Sequence, residues 1–415
     1  MPQSFVRKMS SAATHIETNK QLVPALRFKE FDDLWKKSTI EDHFEFKNGL
    51  NKEKEFFGYG TPIINFKDVY NLEGIKLNDI KGLVKLSENE IKRYDALKGD
   101  VFFTRTSETI FDIGMAAALV EDIPNCVFSG FVLRARPIDN ALVDDYKKFC
   151  FGTWSVRKEI VTKSSFTTRA LTSGTLLNKV AFHFPKSHNE QQKIASFLSA
   201  VDKKIEQLTK KKVLLEQYKK GSLQQLFSGQ IRFKDENGKP YPDWEETKLV
   251  ECILRNEKSK IQVNEISGNV KNKENKFPFF TSGEKVFYSD NYLIENENIF
   301  MSTGGKATVQ FFKGRCSYST DTFSFSSNSD NSTGFIFYFL ENIILKIENQ
   351  YFYGSGLKHL DKKGIMKYKL LAPSQPEQQK IARYLSSIDT KIESVNNQIT
   401  QTQTFKKGLL QQLFI

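Results

Sequence analysis

The sequence predicts an α+β protein: two mixed α/β domains separated by two long helices that form an intramolecular antiparallel coiled coil, in a pseudo-twofold arrangement. Three observations predict it. A segment recurs letter for letter at a fixed distance, both copies carry an apolar seam at helical spacing, and a stretch of short strands and turns precedes each copy.

The repeat organises the chain. Glu190-Gln191-Gln192-Lys193-Ile194-Ala195 returns as Glu377-Gln378-Gln379-Lys380-Ile381-Ala382, and the match continues through Leu198 with Leu385, Asp202 with Asp389, and Lys219-Lys220-Gly221 with Lys406-Lys407-Gly408. Each pair lies 187 positions apart (377 − 190, 406 − 219), so neither copy has a net insertion relative to the other. Such a repeat is a duplication.

Both copies read as helices. Ile194, Leu198, Val201, Ile205, Leu208 and Leu215 fall on alternating three- and four-residue steps, with Lys212 the polar exception; Ile381, Leu385, Ile388, Ile392, Val395 and Ile399 do the same. This is an a/d seam. Ser187 before Glu190 and Ser374 before Glu377 have capping-box spacing, and Pro376 suits a first turn. The first helix is expected to run to about Phe227, roughly 55 Å at 1.5 Å per residue. Gly221 and Gly408 fall near the ends, where they are expected to fray or bend the last turns. A stripe this long needs a partner. Packing on its own domain or pairing between chains would also cover it, but equal lengths and a shared seam favour the duplicate.

The globular regions are related more loosely. Leu26-Arg27-Phe28-Lys29 precedes Trp35, and Ile231-Arg232-Phe233-Lys234 precedes Trp244. The offset is 205 at Arg-Phe-Lys (232 − 27), 209 at the tryptophans (244 − 35) and 187 at the helices, so the second region is about twenty residues shorter. Gly99–Arg105 and Asn298–Thr303 read as turn-then-strand segments running into polar loops. Phe335–Leu340, continuing to Ile347, is apolar throughout and long enough to favour helix. The expected segments are a flexible tail 1–23, a globular domain 24–186, a helix 187–229, a second domain 230–373 and a second helix 374–415.

The 415 residues exceed one ordinary core; a hydrophobic fraction of 39% with 36 Phe suffices for sizeable interiors. Sixty-one basic against 49 acidic residues give a formal charge of +12, which favours a polyanionic partner through counterion release, although a basic soluble protein satisfies the charge equally well. Cys126, Cys150, Cys252 and Cys316 form no CxxC pair and have no zinc-ligand spacing, and read as reduced, buried thiols of a cytoplasmic protein. Neither a signal-peptide core nor a membrane span is expected.

Catalytic motifs are missing where they would be needed. Phe57-Gly58-Tyr59-Gly60 lacks the FxGxG spacing of a methyltransferase cofactor loop and reads as a turn into a strand. There is no Asn-Pro-Pro-aromatic motif. Glu274-Asn275-Lys276 has no matching upstream aspartate for a metal nuclease, and Gly304-Gly305-Lys306 lacks the P-loop spacing. His183 and His188 flank a strand end and a helix start, a weak basis for a metal site. The expectation is no catalysis and no metal in this chain.

A binding surface remains. In the first domain the candidates are Lys163, Ser164, Ser165, Thr167, Thr168 and Arg169, with Arg105, Thr106, Ser107, Lys47 and Asn48. In the second they are Tyr353, Ser355, Lys358 and His359, with Ser302, Thr303, Lys306 and Lys285. These segments combine cations for phosphates, short polar side chains for base edges and glycines for close backbone approach. Singly, each reads equally well as a solvated loop. Lys163–Arg169 and Tyr353–His359 gain weight from their equivalent places, about twenty residues before the two helices.

Residues 185–195, their copy at 373–382, and Gly238-Lys239-Pro240-Tyr241-Pro242-Asp243-Trp244 resemble the repeated regions of type I restriction–modification specificity subunits. Leu97–Arg105 and Phe277–Gly283 look like that family's target-recognition domains. The resemblance covers nearly all the chain after about residue 20. It implies that each domain reads one half of a split, asymmetric site in double-stranded DNA, and that the helices set the gap. It also implies two methyltransferase (modification) subunits along the helices and domains, bringing S-adenosylmethionine, and restriction/translocase subunits bringing ATP and Mg, with no catalytic residue or cofactor here and no membrane. Half-sites one helical turn apart, roughly 34–36 Å, suit such symmetry, and adenine methylation requires the base to leave the stack. The rivals are a stand-alone DNA-binding or scaffold protein and, more remotely, an enzyme with an unrecognised site.

Overall fold

A computed structural model describes residues 22–70, 72–266 and 276–415. The tail expected at 1–23 thus falls almost wholly outside the described residues, as do Glu274 and Asn275. The chain forms two compact units. One takes the chain up to Gln207 together with Ile399–Ile415; the other is Leu208–Gln398.

In the first unit a five-stranded sheet has the order Phe44–Asn48, Val132–Pro137, Val101–Thr104, Ala116–Leu119, Gly74–Ile75. All neighbours are antiparallel except the last pair. Beside it Phe57–Ile64 lies between Leu83–Val84, antiparallel, and Val127–Phe128, parallel. Phe57-Gly58-Tyr59-Gly60 is a bulge here: Phe57 and Thr61 both face Val84, with Gly58 and Gly60 at φ of 101° and 102°, a backbone only glycine adopts without strain. The hairpin Ser165–Phe166/Ala170–Leu171 pairs with Thr106–Ser107. Helices Asp144–Cys150 and Trp154–Lys163 cover the sheet, and Trp35, Phe103, Tyr146, Phe149, Phe151 and Phe182 fill the space between.

The second unit repeats the plan with fewer parts. Its sheet has the order Ile253–Arg255, Thr322–Ser327, Glu297–Ser302, Val309–Lys313, antiparallel throughout. Phe277–Phe280 lies between Phe287–Ser289, antiparallel, and Ser317–Tyr318, parallel. The apolar run from Phe335 is helical, as its length predicts: Thr333–Asn342 and Ile344–Tyr351, broken at Ile343. Most of the length difference between units sits at one place. The first unit spends residues 65–82 between its two antiparallel strands, including helix Phe66–Tyr70 and edge strand Gly74–Ile75, where the second spends only 281–286.

The long helices run His188–Phe227 and Gln375–Gln412. Each unit contains the beginning of one and the end of the other. In the first, Ile194, Leu198, Val201 and Ile205 pack with Leu409, Leu410 and Leu413; in the second, Ile381, Leu385, Ile388 and Ile392 pack with Leu223 and Leu226. The pairing is therefore antiparallel within each unit. The seam also enters the globular cores, since Ile194 and Leu198 share a cluster with Trp35 and Phe182. Both ways of covering the stripe are thus used. Leu208 and Val395 are buried, and Leu215 and Ile399 are half-buried. Lys212, the polar exception, donates to Asn396 Oδ1 at 2.9 Å. Gly221 and Gly408 face open space and the helices continue past them.

The predicted capping boxes do not form. Ser187 Oγ accepts from Glu190 N at 3.4 Å, but the Glu190 carboxylate turns away to Arg27 Nε and Nη2 at 2.7 and 2.8 Å and to Trp35 Nε1 at 3.2 Å. Glu377 does the same with Arg232, at 3.2 and 2.8 Å, and Trp244 Nε1, at 3.2 Å, and the buried Ser374 Oγ has no hydrogen-bond partner. A carboxylate buried to 1% or less exposure is worth more to a bidentate guanidinium than to one backbone amide. This explains why Arg-Phe-Lys…Trp recurs with the helix. The next residue repeats its role too: Gln191 bridges Val143 N, Ala141 O and Pro185 O, and Gln378 bridges Ser332 N, Asn331 Oδ1 and Pro373 O. Lys406 meets Asp202 and Glu73, both at 2.6 Å, while its counterpart Lys219 meets Asp389 and Glu341, both at 2.8 Å.

Candidate nucleic-acid interface

In the first unit the candidate segments converge on the end of the central strand Val101–Thr104. Arg105 N donates to Phe131 O at 3.3 Å, and Arg105 O accepts from Thr172 N at 3.0 Å. Thr106 and Ser107 then pair with Leu171 and Ala170, so the hairpin carrying Ser165, Thr167, Thr168 and Arg169 lies against them. Lys47 and Asn48 line one cavity with Arg105, Ser173, Thr175 and Asn178. Thr106, Ser107 and Arg169 line another with Phe66, Tyr70, Asp112 and Phe131. Side-chain commitments differ. Lys47 Nζ donates to Arg93 O at 2.5 Å, Lys163 pairs with Glu159 at 2.7 Å, and Ser164 Oγ donates to Ile160 O at 2.8 Å; the last two belong to the end of their helix. Arg169 reaches Glu108 at 3.4 Å with both side chains mostly exposed, a pair of little energetic weight.

The second unit builds the same junction. Thr303 O accepts from Leu360 N at 3.0 Å, Gly305 N donates to Lys358 O at 2.9 Å, and Gly304 bridges His359. Tyr353 pairs with His359 across the hairpin, and residues 353–359 are exposed. Lys285 lies over the Phe287 ring at 5.1 Å; the exposed Lys306 stands 3.9 Å from Glu284.

Ser302 does not belong to this surface. It is 1% exposed; its hydroxyl donates to Lys306 O at 2.8 Å and accepts from Thr308 N at 2.8 Å. Thr104, wholly buried in the first unit, accepts from Met115 N at 2.9 Å in the same way. Both hydroxyls pin the turn that follows the central strand. As the last residue of a strand buried on both faces, Ser302 points inward where the loop residue after it does not.

The cysteines are all free and buried. Burial pushes the Cys126 and Cys316 thiols up to about 12. Burial likewise lowers the His183 imidazole below its ordinary range. Among the described residues no cluster of three or more His, Cys, Asp or Glu could hold a metal ion, and no helix is long and apolar enough to cross a membrane.

The model of the type I restriction modification DNA specificity domain matches residues 32–217 and again 242–403. The chain belongs to this family. It carries two such specificity domains, and together they cover most of its length. It is 26% identical over 414 residues to a chain assigned as the specificity subunit of the type I restriction enzyme MjaX of Methanocaldococcus jannaschii, covering 92% of this chain and 93% of that one. It is 28% identical over 136 residues to the EcoKI specificity subunit of Escherichia coli, covering 32% and 29%. Among solved structures, the type I restriction–modification S subunit from M. genitalium shares the fold with a TM-score of 0.63 at 17% identity, over 95% of this chain and 99% of that one.

Sequence reading of the two specificity domains missed several residues at the junctions. Phe131, 65% exposed, and the exposed Asp321 open the sheet strands next to Arg105 and Thr303. Lys362, whose ammonium is held below its ordinary range by burial and by Lys258, lies near Asp321 and Arg255. A lone Phe after Gly130 reads as core, and nothing local marks Asp321. Only strand pairing brings either to the surface beside the candidates.

Proposed function

We propose that the chain is the sequence-reading subunit of a type I restriction–modification complex. Each unit reads one half of a bipartite, asymmetric DNA site, and the long helices set the gap and dock two methyltransferase subunits. The observation that carries this reading is the pair of family domains in one chain, alike in skeleton and unlike in the side chains at their junctions. Arg105, Arg169, Lys358 and Lys306 supply cations for phosphates or guanine; Thr106, Ser107, Thr167, Thr168, Thr303 and Ser355 supply short hydroxyls for base edges. Chemistry resides in the partners: S-adenosylmethionine on the methyltransferase subunits, ATP and Mg on restriction subunits, and no catalytic residue here.

The test is to purify the chain with and without a methyltransferase subunit and to sequence the methylated sites. The complex should methylate adenine in one split motif, and the chain alone should methylate nothing. Four residues inserted after Leu208 should change the gap and leave both half-sites as they were. Modification by the isolated chain, or half-sites altered by the insertion, would sink the reading.

A further inference from the structure

The two junctions correspond bond by bond. Val132 pairs with Thr104 in one central sheet, and Thr322 with Ser302 in the other. Ser129 N donates to Ile64 O, and Ser319 N to Phe280 O; Val132 N donates to Ser129 O, and Thr322 N to Ser319 O. The carbonyl of Arg105 accepts from Thr172, and that of Thr303 from Leu360. These six matched bonds and two matched registers make Arg105 the counterpart of Thr303, and Phe131 the counterpart of Asp321.

The backbone there is held by hydrogen bonds in both units. Phe131 O accepts from Arg105 N, and Asp321 O accepts from Thr303 Oγ1 at 2.7 Å and from Ser282 Oγ. Each side chain, half-buried at Arg105 and Thr303 and exposed at Phe131 and Asp321, is thus presented from a tethered main chain, with opposite chemistry in the two units: a cation beside an aromatic ring, against a hydroxyl beside a carboxylate. A carboxylate facing polyanionic DNA is repelled unless it meets an amino group. Lys362, which interacts with the Asp321 charge, partly offsets it.

We propose that Arg105/Phe131 and Thr303/Asp321 are equivalent base-contacting positions that make the two half-sites differ. This rests on the DNA-reading function proposed above. In the first half-site Arg105 donates to guanine O6 and N7, with Phe131 packed as an apolar wedge against the neighbouring base step. In the second, Asp321 accepts from a cytosine N4 amino group.

The test uses the complex with its methyltransferase subunits and sequences the methylated motif for Phe131→Ala, Arg105→Ala, Asp321→Asn and Asp321→Ala. Both aspartate variants should relax one position of the second half-site, with methylation of the original motif falling about tenfold or more, and should leave the first untouched. The first-unit variants should do the converse. Phe131→Ala should in addition lower the fluorescence of 2-aminopurine placed in the first half-site of the complexed DNA, because the base restacks. Variants that leave the motif intact, or weaken all sequences equally, would overturn the assignment. A wild-type complex that methylates no bipartite motif would instead sink the parent reading and this one with it.

Discussion

The first unit presents Arg105 and Phe131 where the second presents Thr303 and Asp321, yet both anchor their helix with the same three side chains. Arg27, Trp35 and Glu190 in one unit are Arg232, Trp244 and Glu377 in the other. The contrast has a physical origin. The helix anchors are made by side chains, and a buried carboxylate tolerates no loss of its guanidinium, so these residues repeat as letters. The frame of each junction is made by main-chain hydrogen bonds between strands and turns, which do not depend on the residue's identity, with the Thr104, Ser302 and Thr303 hydroxyls adding side-chain bonds to it. Side chains at the junctions can diverge without disturbing the skeleton, a suitable property for domains that must read different sequences. The same freedom admits the longer 65–82 segment of the first unit beside the 281–286 turn of the second.

Three measurements test this contrast between the units. The largest effect is expected at the anchors. Arg27 is 9% exposed and Arg232 is 28% exposed, over carboxylates that are 1% and 0% exposed. Arg27→Ala should cost about 3 kcal/mol, the range for stranding a buried charge, and Arg232→Ala about half that, because its more exposed guanidinium is screened by water and contributes less to the pair. Urea denaturation of the full chain would rank them; equal costs would mean the two anchors are equivalent despite their exposure. A smaller effect is expected at the hairpins. Arg169→Ala and Lys358→Ala should each weaken DNA binding and lower the slope of log K against log salt by about 1. An unchanged slope for either would remove that residue from the phosphate contacts. The smallest effect tests whether both interiors are equally closed. With Cys126 and Cys316 pushed up to about 12 by burial, their thiols remain protonated at pH 8, and Cys150 and Cys252 are raised in the same direction by the same cause. None of the four should be alkylated in the native protein and all should be in urea; early modification of Cys252 or Cys316 alone would mark the second unit as the looser one.

Some of the fold was legible because it is written in side chains at regular spacing. The duplicated helices and their a/d stripes came from periodicity, and the helical character of the run from Phe335 came from its length. The role of Glu190 and Glu377 was misread for a local reason: Ser-x-x-Glu spacing describes a capping box, whereas the carboxylates are claimed by arginines 163 and 145 positions away. The candidate segments, Lys163–Arg169 with Arg105–Ser107 and Tyr353–His359 with Thr303–Lys306, were visible as polar loops, and the pairing of each hairpin with the end of the central strand was not.

By itself the sequence determined a duplicated pair of helices, the residues that repeat with them, and two globular regions of unequal length. These depend on side-chain identity and on periods of a few residues. Only the tertiary structure decided that Ser302 turns inward, that Phe131 and Asp321 stand at matching places, and that the Arg-Phe-Lys…Trp motif exists to neutralise a helix glutamate. Those outcomes are set by main-chain pairing and by charges meeting across more than a hundred residues, and neither leaves a mark in local composition.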